Sequence, residues 1–375
     1  MIRSRHLEIL CKEQSDSRKY LAVHTMRPIT SACLRLVCFH RRRWSSMFVF
    51  LSSLLLLLFL SLSGYLEECL CRALPIFYPN PTRISSTRIS SIPVPPLLLS
   101  PANACSPPPL LLILVSSAPS HRDRRDAIRQ TWGGLASATA SSSLTLFVLA
   151  VPDKAEERSA LVHEAVTHGD IIQANFTDSY RNLTLKTLTG LVWALQKCQG
   201  AQFLLKTDDD VFVNTLALSA FLKERQGLQY LGRIHWRVAP FRDPENRHYT
   251  SHEIYASDHF PPYCSGTSYF LSLGAAGHIL QEAGNGPWPP LEDVYVGILA
   301  KAAGIAPQHV AKIAGSASIP HNSCCYRTMY TSHRLTPQGM QEAWNMLKET
   351  EDHWCPPLTL LFCRTFGQPL DKGEN

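Results

Sequence analysis

Three consecutive acids, Asp208, Asp209 and Asp210, interrupt the apolar stretch AQFLLKTDDDVFVN at residues 201–214. Carboxylates crowded this closely repel, and each loses hydration where it meets a buried strand. A counter-cation removes that cost. Hard oxygen ligands suit Mn2+ or Mg2+, ions that also hold substrate phosphates, so the implied chemistry is a metal-assisted nucleotide-diphosphate site. A solvated acidic turn between two strands explains the triplet alone equally well. A second acidic pair, Glu292 and Asp293 in LEDVYVGIL, stands at the start of an expected helix. Acids there often do no more than complement the helix N-terminus.

The surrounding pattern supplies elements that could position these groups. Expected strands at 110–117, 144–151, 170–176 and 202–207 alternate with expected helices at 121–132, 156–168 and 183–198. That alternation predicts an α/β domain with a central, mostly parallel sheet, whose ligands bind at the carboxyl ends of the strands. The acidic triplet falls at such an end. No glycine fingerprint follows the first strand, which disfavours a dinucleotide site. Arg125 and Arg129, one helical turn apart, could contact a diphosphate or uridine, with an ion pair to Asp126 as the competing use. Lys186 and Lys206 are further candidates on the nucleotide side. Trp236 and Tyr263, the latter just before Ser265 and Gly266, could stack on acceptor sugars, although buried aromatics are the default for both.

Charge and composition suggest where the domain sits. Residues 1–46 contain ten Lys/Arg and three Asp/Glu, about +7 against +6 for the whole chain. A nucleic-acid binder would carry its basic excess on the folded domain, so no nucleic-acid partner is expected. The basic tail instead precedes the apolar run Met47–Leu62. Extended to residue 66, this run is expected to be a type II signal-anchor, with a basic cytosolic tail (1–46) and everything beyond it lumenal. A cleaved signal peptide is the rival reading. Residues 67–109, rich in Pro, Ser and Arg, read as a stem, and 110–375 as one catalytic domain. Nine of the twelve cysteines follow the anchor without zinc-site spacing, which points to disulfides in an oxidising lumen. Their odd number leaves one thiol free or paired between chains, so a homodimer stays open. Sequons at Asn175 and Asn182 would be usable only on that side.

Six segments, SSAPSHRDRRDAIRQTWGG, DIIQANFTDSYRNLTLKT, FLLKTDDDVFVN, YLGRIHWRV, PPYCSGTSYFLS and LEDVYVGILA, occur in this order over roughly residues 110–335. Together they resemble the β-1,3-glycosyltransferases of glycosyltransferase family 31. The resemblance implies a GT-A fold, a UDP-sugar donor, Mn2+ and inversion at the anomeric carbon, in a Golgi membrane protein. It places Asp210 and His333 (in TSHRL) on the metal. Asp208 and Asp209 are placed near the ribose or the metal's waters, with Asp208 a further candidate ligand. Asp293 becomes the catalytic base and Glu292 its support, while Gly266 joins Trp236 and Tyr263 on the acceptor side. The pattern is most similar to galactose-transferring members. The expected donor is then UDP-galactose, and the expected acceptor a terminal GalNAc of a glycolipid or other glycan, as in ganglioside synthesis. Transfer of N-acetylglucosamine or N-acetylgalactosamine through the same motifs is the alternative within the family. A catalytically silent chaperone or lectin on this fold is the alternative outside it, disfavoured by the intact Asp208, Asp210, Asp293 and His333.

Overall fold

The computed structural model describes residues 46–60, 69–70, 94–134, 143–224, 227–284, 288–349, 354–356 and 358–365. The chain divides into two units, Met1–Ser61 and Leu62–Asn375. In the first, residues 46–60 are helical, and 46–59 are exposed. No helix among the described residues is long and apolar enough to cross a membrane. The rest of the expected anchor, 61–66, and the basic tail to residue 45 lie outside the described residues.

The second unit is built on an eight-stranded sheet of order β1-β4-β3-β2-β5-β8-β7-β9. Its strands are β1 (Leu97–Leu99), β2 (Leu111–Ser116), β3 (Ser143–Val151), β4 (Ile171–Thr177), β5 (Phe203–Asp208), β7 (Tyr230–His235), β8 (Tyr263–Ser272) and β9 (Gln308–His309). A separate antiparallel pair joins β6 (Phe212–Val213) to β10 (Thr331–Ser332). β4, β3, β2 and β5 run parallel, and β1, β8 and β7 add antiparallel partners. The result is mixed α/β with a parallel centre.

Both faces of that centre are covered, which explains the unbroken apolar run of β2. Leu111, Ile113 and Val115 enter one core with Ile128, Phe212 and Trp344. Leu112 and Leu114 enter the other with Leu188, Trp193 and Ile279. The helices are α1 (Arg122–Gln130), α2 (Ala155–His168), α3 (Leu183–Lys197), α4 (Thr215–Lys223), α5 (Leu273–Gln281), α6 (Glu292–Ala302), α7 (Ser323–Thr328), α8 (Pro337–Glu349) and α9 (Thr359–Thr365).

The folded unit begins earlier than the expected boundary at 110. β1 pairs antiparallel with β4, Trp193 donates to Ser100 Oγ at 2.9 Å, and Cys105 is joined to Cys198. Low periodicity in this Pro-rich stretch conceals a short edge strand held by its neighbours. At the other end, adjacent cysteines on α7 fasten the C-terminal segment through Cys324–Cys355 and Cys325–Cys363. Cys69 and Cys264 are free thiols, the latter buried.

Candidate active site

The strand order fixes where a ligand fits. From β2 the chain moves to β3 and β4 on one side, and β5 returns to the other side. The crevice between the carboxyl ends of β2 and β5 is therefore a topological switch point. Ser116 and Asp208 are register partners at that edge. The acidic triplet and the loop after β2 thus face each other by construction.

The three acids have different surroundings. Asp209 is buried and its oxygens are taken: Oδ2 accepts from Ser117 Oγ (2.7 Å) and lies 2.8 Å from His121 Nδ1, while Oδ1 accepts from Arg124 (2.9 Å). Burial pushes its carboxyl up, but His121, Ser117 and Arg124 together bring it below the ordinary range. Asp208 ends β5, with Oδ1 2.7 Å from Lys206 Nζ. Desolvation raises its carboxyl in spite of Lys206, and the charge of Asp210 adds to the rise. Asp210 lies in the turn that follows, and its carbonyl accepts from the Leu335 N–H at 2.9 Å. That bond and the β6–β10 pair carry His333 to the triplet, its Nε2 3.4 Å from Asp210 Oδ1.

Asp208, Asp210 and His333 each offer one ligand atom, all within 4.8 Å of one another. The donor set fits a divalent cation of the Mn2+ or Mg2+ type. His333 Nδ1 lies 3.1 Å from the Ser316 carbonyl, which fixes the ring proton there and leaves Nε2 as the ligand. Asp209 sits apart from this group, holding His121 and Arg124 in the crevice. Those two residues escaped the sequence reading although they lie in the same segment as Arg125.

Arg125 itself is fully buried. Its five N–H groups go to both oxygens of Glu164, to Ser117 Oγ and to the carbonyls of Ala118 and Pro119. Arg129 pairs with Asp126, Glu164 and Asp170. The expected diphosphate contact is therefore corrected for both: each arginine is committed to ion pairs, and Arg125 shapes the loop from behind. Lys186 is likewise inward-facing, donating to the Ser117 carbonyl (2.7 Å) and pairing with Asp178 (2.8 Å). Burial lowers its ammonium against the pull of Asp178. The Ser117 loop is thus held from three sides before any ligand arrives.

Lys206 links the triplet to the second acidic pair. Its Nζ lies 2.8 Å from Glu292 Oε1 and also donates to the Gly266 carbonyl. Glu292 is buried, and its Oε2 accepts from Tyr269 (2.9 Å). Asp293, half-buried, accepts the Gly266 N–H on Oδ2 (2.8 Å) and the Val294 N–H on Oδ1 (2.8 Å). A Cβ on Gly266 would lie 2.8 Å from Glu292 Oε1 and 3.0 Å from Asp293 Oδ2, so glycine is what lets both carboxylates approach the strand. Gly266 therefore positions the acids.

The aromatics divide differently from expectation. Tyr263 is buried, stacked on His235 and edge-on to Phe260. Burial, and then the charge of Asp293, push its phenol up. Trp236 packs partly buried against the core. Tyr263 therefore presents no open ring, while Trp236 stays half-buried. The exposed ring near the acids is Tyr180, whose phenol is raised by burial and feels the charges of Asp293 and Asp208. Asn175 is exposed on β4; Asn182 is half-buried and donates to the Thr177 carbonyl at 2.8 Å.

Comparison with known proteins agrees with this geometry. The galactosyltransferase family profile matches residues 123–311. The β-1,3-galactosyltransferase 4 of Rattus norvegicus is 42% identical over 320 residues, covering 76% of this chain and 85% of that protein. Its Homo sapiens counterpart is 41% identical over 344 residues, covering 81% and 89%. The Homo sapiens lactosylceramide 1,3-N-acetyl-beta-D-glucosaminyltransferase is 35% identical over 246 residues, covering 63% and 65%.

Proposed function

The chain belongs to the galactosyltransferase family, and on that premise we propose that it is an inverting β-1,3-galactosyltransferase using UDP-galactose. One observation carries the reading. Asp208, Asp210 and His333 on one side, and Glu292 and Asp293 on the other, meet at a single strand end with Lys206 between them. Inverting transfer requires two separated functions: stabilisation of a leaving diphosphate, and a base on the opposite face of the sugar.

Asp208, Asp210 and His333 would hold a divalent cation, best matched by Mn2+, which when bound neutralises charge on the diphosphate as a Lewis acid. His121 and Arg124, oriented by Asp209, face the donor side of the crevice. Asp293 would take the proton from the acceptor hydroxyl. Its two accepted N–H bonds orient the carboxylate and leave lone pairs for that proton. Glu292 is held by Lys206 and Tyr269 and keeps Asp293 and Gly266 in register. The acceptor is a terminal GalNAc on a glycolipid, the fit suggested by similarity to the β-1,3-galactosyltransferase 4 proteins. Similarity to an N-acetylglucosaminyltransferase supports the second reading, a different donor sugar in the same site.

The test uses the full-length chain with a panel of UDP-sugars and with GalNAc-, GlcNAc- and Gal-ended acceptors. Asp293→Asn is expected to lose about 10²–10⁴-fold in turnover, the usual contribution of a general base, while UDP and Mn2+ still bind in calorimetry. Asp210→Ala is expected to lose the Mn2+ dependence of UDP binding. Full activity of Asp293→Asn would remove the base, and undiminished transfer in chelator would remove the metal. Transfer of GlcNAc in place of galactose would select the second reading.

A further inference from the structure

Side chains from the connection between β7 and β8, Phe241, Arg247 and His248, form a row with Tyr180 from the segment after β4. Phe241 and His248 lie with ring centroids 5.7 Å apart and an interplanar angle of 35°. His248 meets Tyr180 edge-on at 5.7 Å, and the Arg247 guanidinium stands 5.6 Å from the centre of the Tyr180 ring. Large aromatic side chains are normally buried, yet Phe241 is 47% exposed and Tyr180 42%.

The platform is preformed. Arg242 donates to the carbonyls of Thr250 (2.7 Å), Tyr255 (2.8 Å) and Ser257 (3.0 Å), closing the loop on itself. Phe260, Tyr263 and Val294 form a small core beneath it, with Val238, Tyr255, Leu291 and Ile298 packed alongside. Val294 and Leu291 flank the Glu292–Asp293 pair, so the loop and the acids share one foundation. Such a surface captures ligand without an ordering cost.

Its polar atoms are also aimed. Arg247 Nε donates to His248 Nε2 at 3.1 Å, which places the remaining imidazole proton on Nδ1, 3.1 Å from the Tyr180 oxygen. Tyr180 therefore accepts from His248 and keeps its own O–H as a donor. Among the described residues, Arg247 Nη1 and Nη2 have no protein acceptor. Exposed rings beside hydroxyl and guanidinium donors match a pyranose, with its apolar C–H face and its rim of hydroxyls.

We propose that Phe241, His248, Tyr180 and Arg247 form an acceptor subsite for the sugars next in from the residue that receives the transferred galactose. The subsite rests on the transferase reading. It makes oligosaccharide acceptors better than monosaccharides by holding the inner rings while the terminal hydroxyl lies at Asp293. The occupant is the acceptor glycan because both Tyr180 and His248 lie within reach of the charge of Asp293, the base that faces the acceptor hydroxyl.

Full-length wild type, Phe241→Ala and Tyr180→Phe are assayed with a GalNAc monosaccharide glycoside and a GalNAc-terminated tetrasaccharide. In Phe241→Ala the ratio of tetrasaccharide KM to monosaccharide KM is expected to rise about three- to tenfold, the scale of one lost aromatic contact. Tyr180→Phe, which keeps the ring and loses the donor, is expected to shift the same ratio by a smaller factor. An unchanged ratio in both variants overturns the subsite. So does an equal loss on the two acceptors, which marks a structural role for the loop. If wild type transfers galactose to neither, the transferase reading fails. Saturation-transfer NMR with the tetrasaccharide alone then decides the subsite: signal lost in Phe241→Ala supports it, and equal signal overturns it.

Discussion

Glu292 is the residue whose burial most constrains the site. Desolvation pushes its carboxyl up to about 7 from an ordinary 4.5, with Lys206 opposing the rise and Asp293 and Asp208 adding to it. Over that window the folded chain keeps a proton that the unfolded chain has released. Stability from this group is therefore complete below about pH 4.5 and is lost as pH rises through about 7. Glu292→Gln mimics the neutral acid and is expected to flatten this part of the stability profile. The difference should be on the order of 3 kcal/mol across the window, read by unfolding wild type and variant at stepped pH. Parallel profiles would show that another group titrates there. At this scale the sequence is legible where chemistry is contiguous: Asp208 and Asp210 stand out as acids between two buried runs at the carboxyl end of an expected strand, which favours a ligand site over a solvated turn. It is illegible where partners are distant. Arg125 and Arg129 have the spacing of a phosphate clamp, and only Glu164, on a helix that follows another strand, reveals them as an ion-pair core. Tyr180 and Arg247 stand far apart in sequence, and nothing in the pattern brings them together.

At the scale of elements, the site depends on β8 meeting α6 closely. A Cβ on Gly297 would lie 2.4 Å from Tyr263 Cβ, and Gly266 admits the two carboxylates to the strand edge. Gly266→Ala is expected to displace the Glu292 and Asp293 side chains while leaving the sheet paired. Misplacement of a reacting group by about 1 Å costs roughly 10²-fold in rate. The expected result is a loss of that order in turnover with UDP and Mn2+ affinity retained, because the metal-side residues come from β5 and the segment after β10. Loss of UDP binding in parallel would show that the two halves do not separate. The alternating strands and helices from 110 to 208 were legible because each is long and periodic. β1 was not, being three residues whose pairing with β4 is a tertiary fact. The disulfides were legible as a class only, since the partners of Cys324 and Cys325 lie on a C-terminal segment with no pattern to place it.

At the scale of the whole molecule, the basic excess and the catalytic unit occupy opposite ends of the chain. We propose that residues 47–66 anchor the protein in the Golgi membrane, with the tail cytosolic and the catalytic unit lumenal, because Arg41, Arg42 and Arg43 stand immediately before the apolar run. The three disulfides among the described residues of the second unit suit the same compartment. Orientation also determines whether either sequon can be used. Asn175 is exposed on β4, whereas Thr184 of the second sequon is buried with its hydroxyl on the Pro289 carbonyl at 2.7 Å. Asn175 is therefore expected to carry a glycan, and Asn182 to be occupied less completely. In sealed vesicles, added protease should remove an epitope at the N-terminus and spare one at the C-terminus. A glycosidase should lower the apparent mass, by less in Asn175→Gln than in wild type. Protection of the N-terminal epitope with digestion of the C-terminal one, and no glycosidase-sensitive mass, would place the catalytic unit in the cytosol and retire the anchor's proposed orientation.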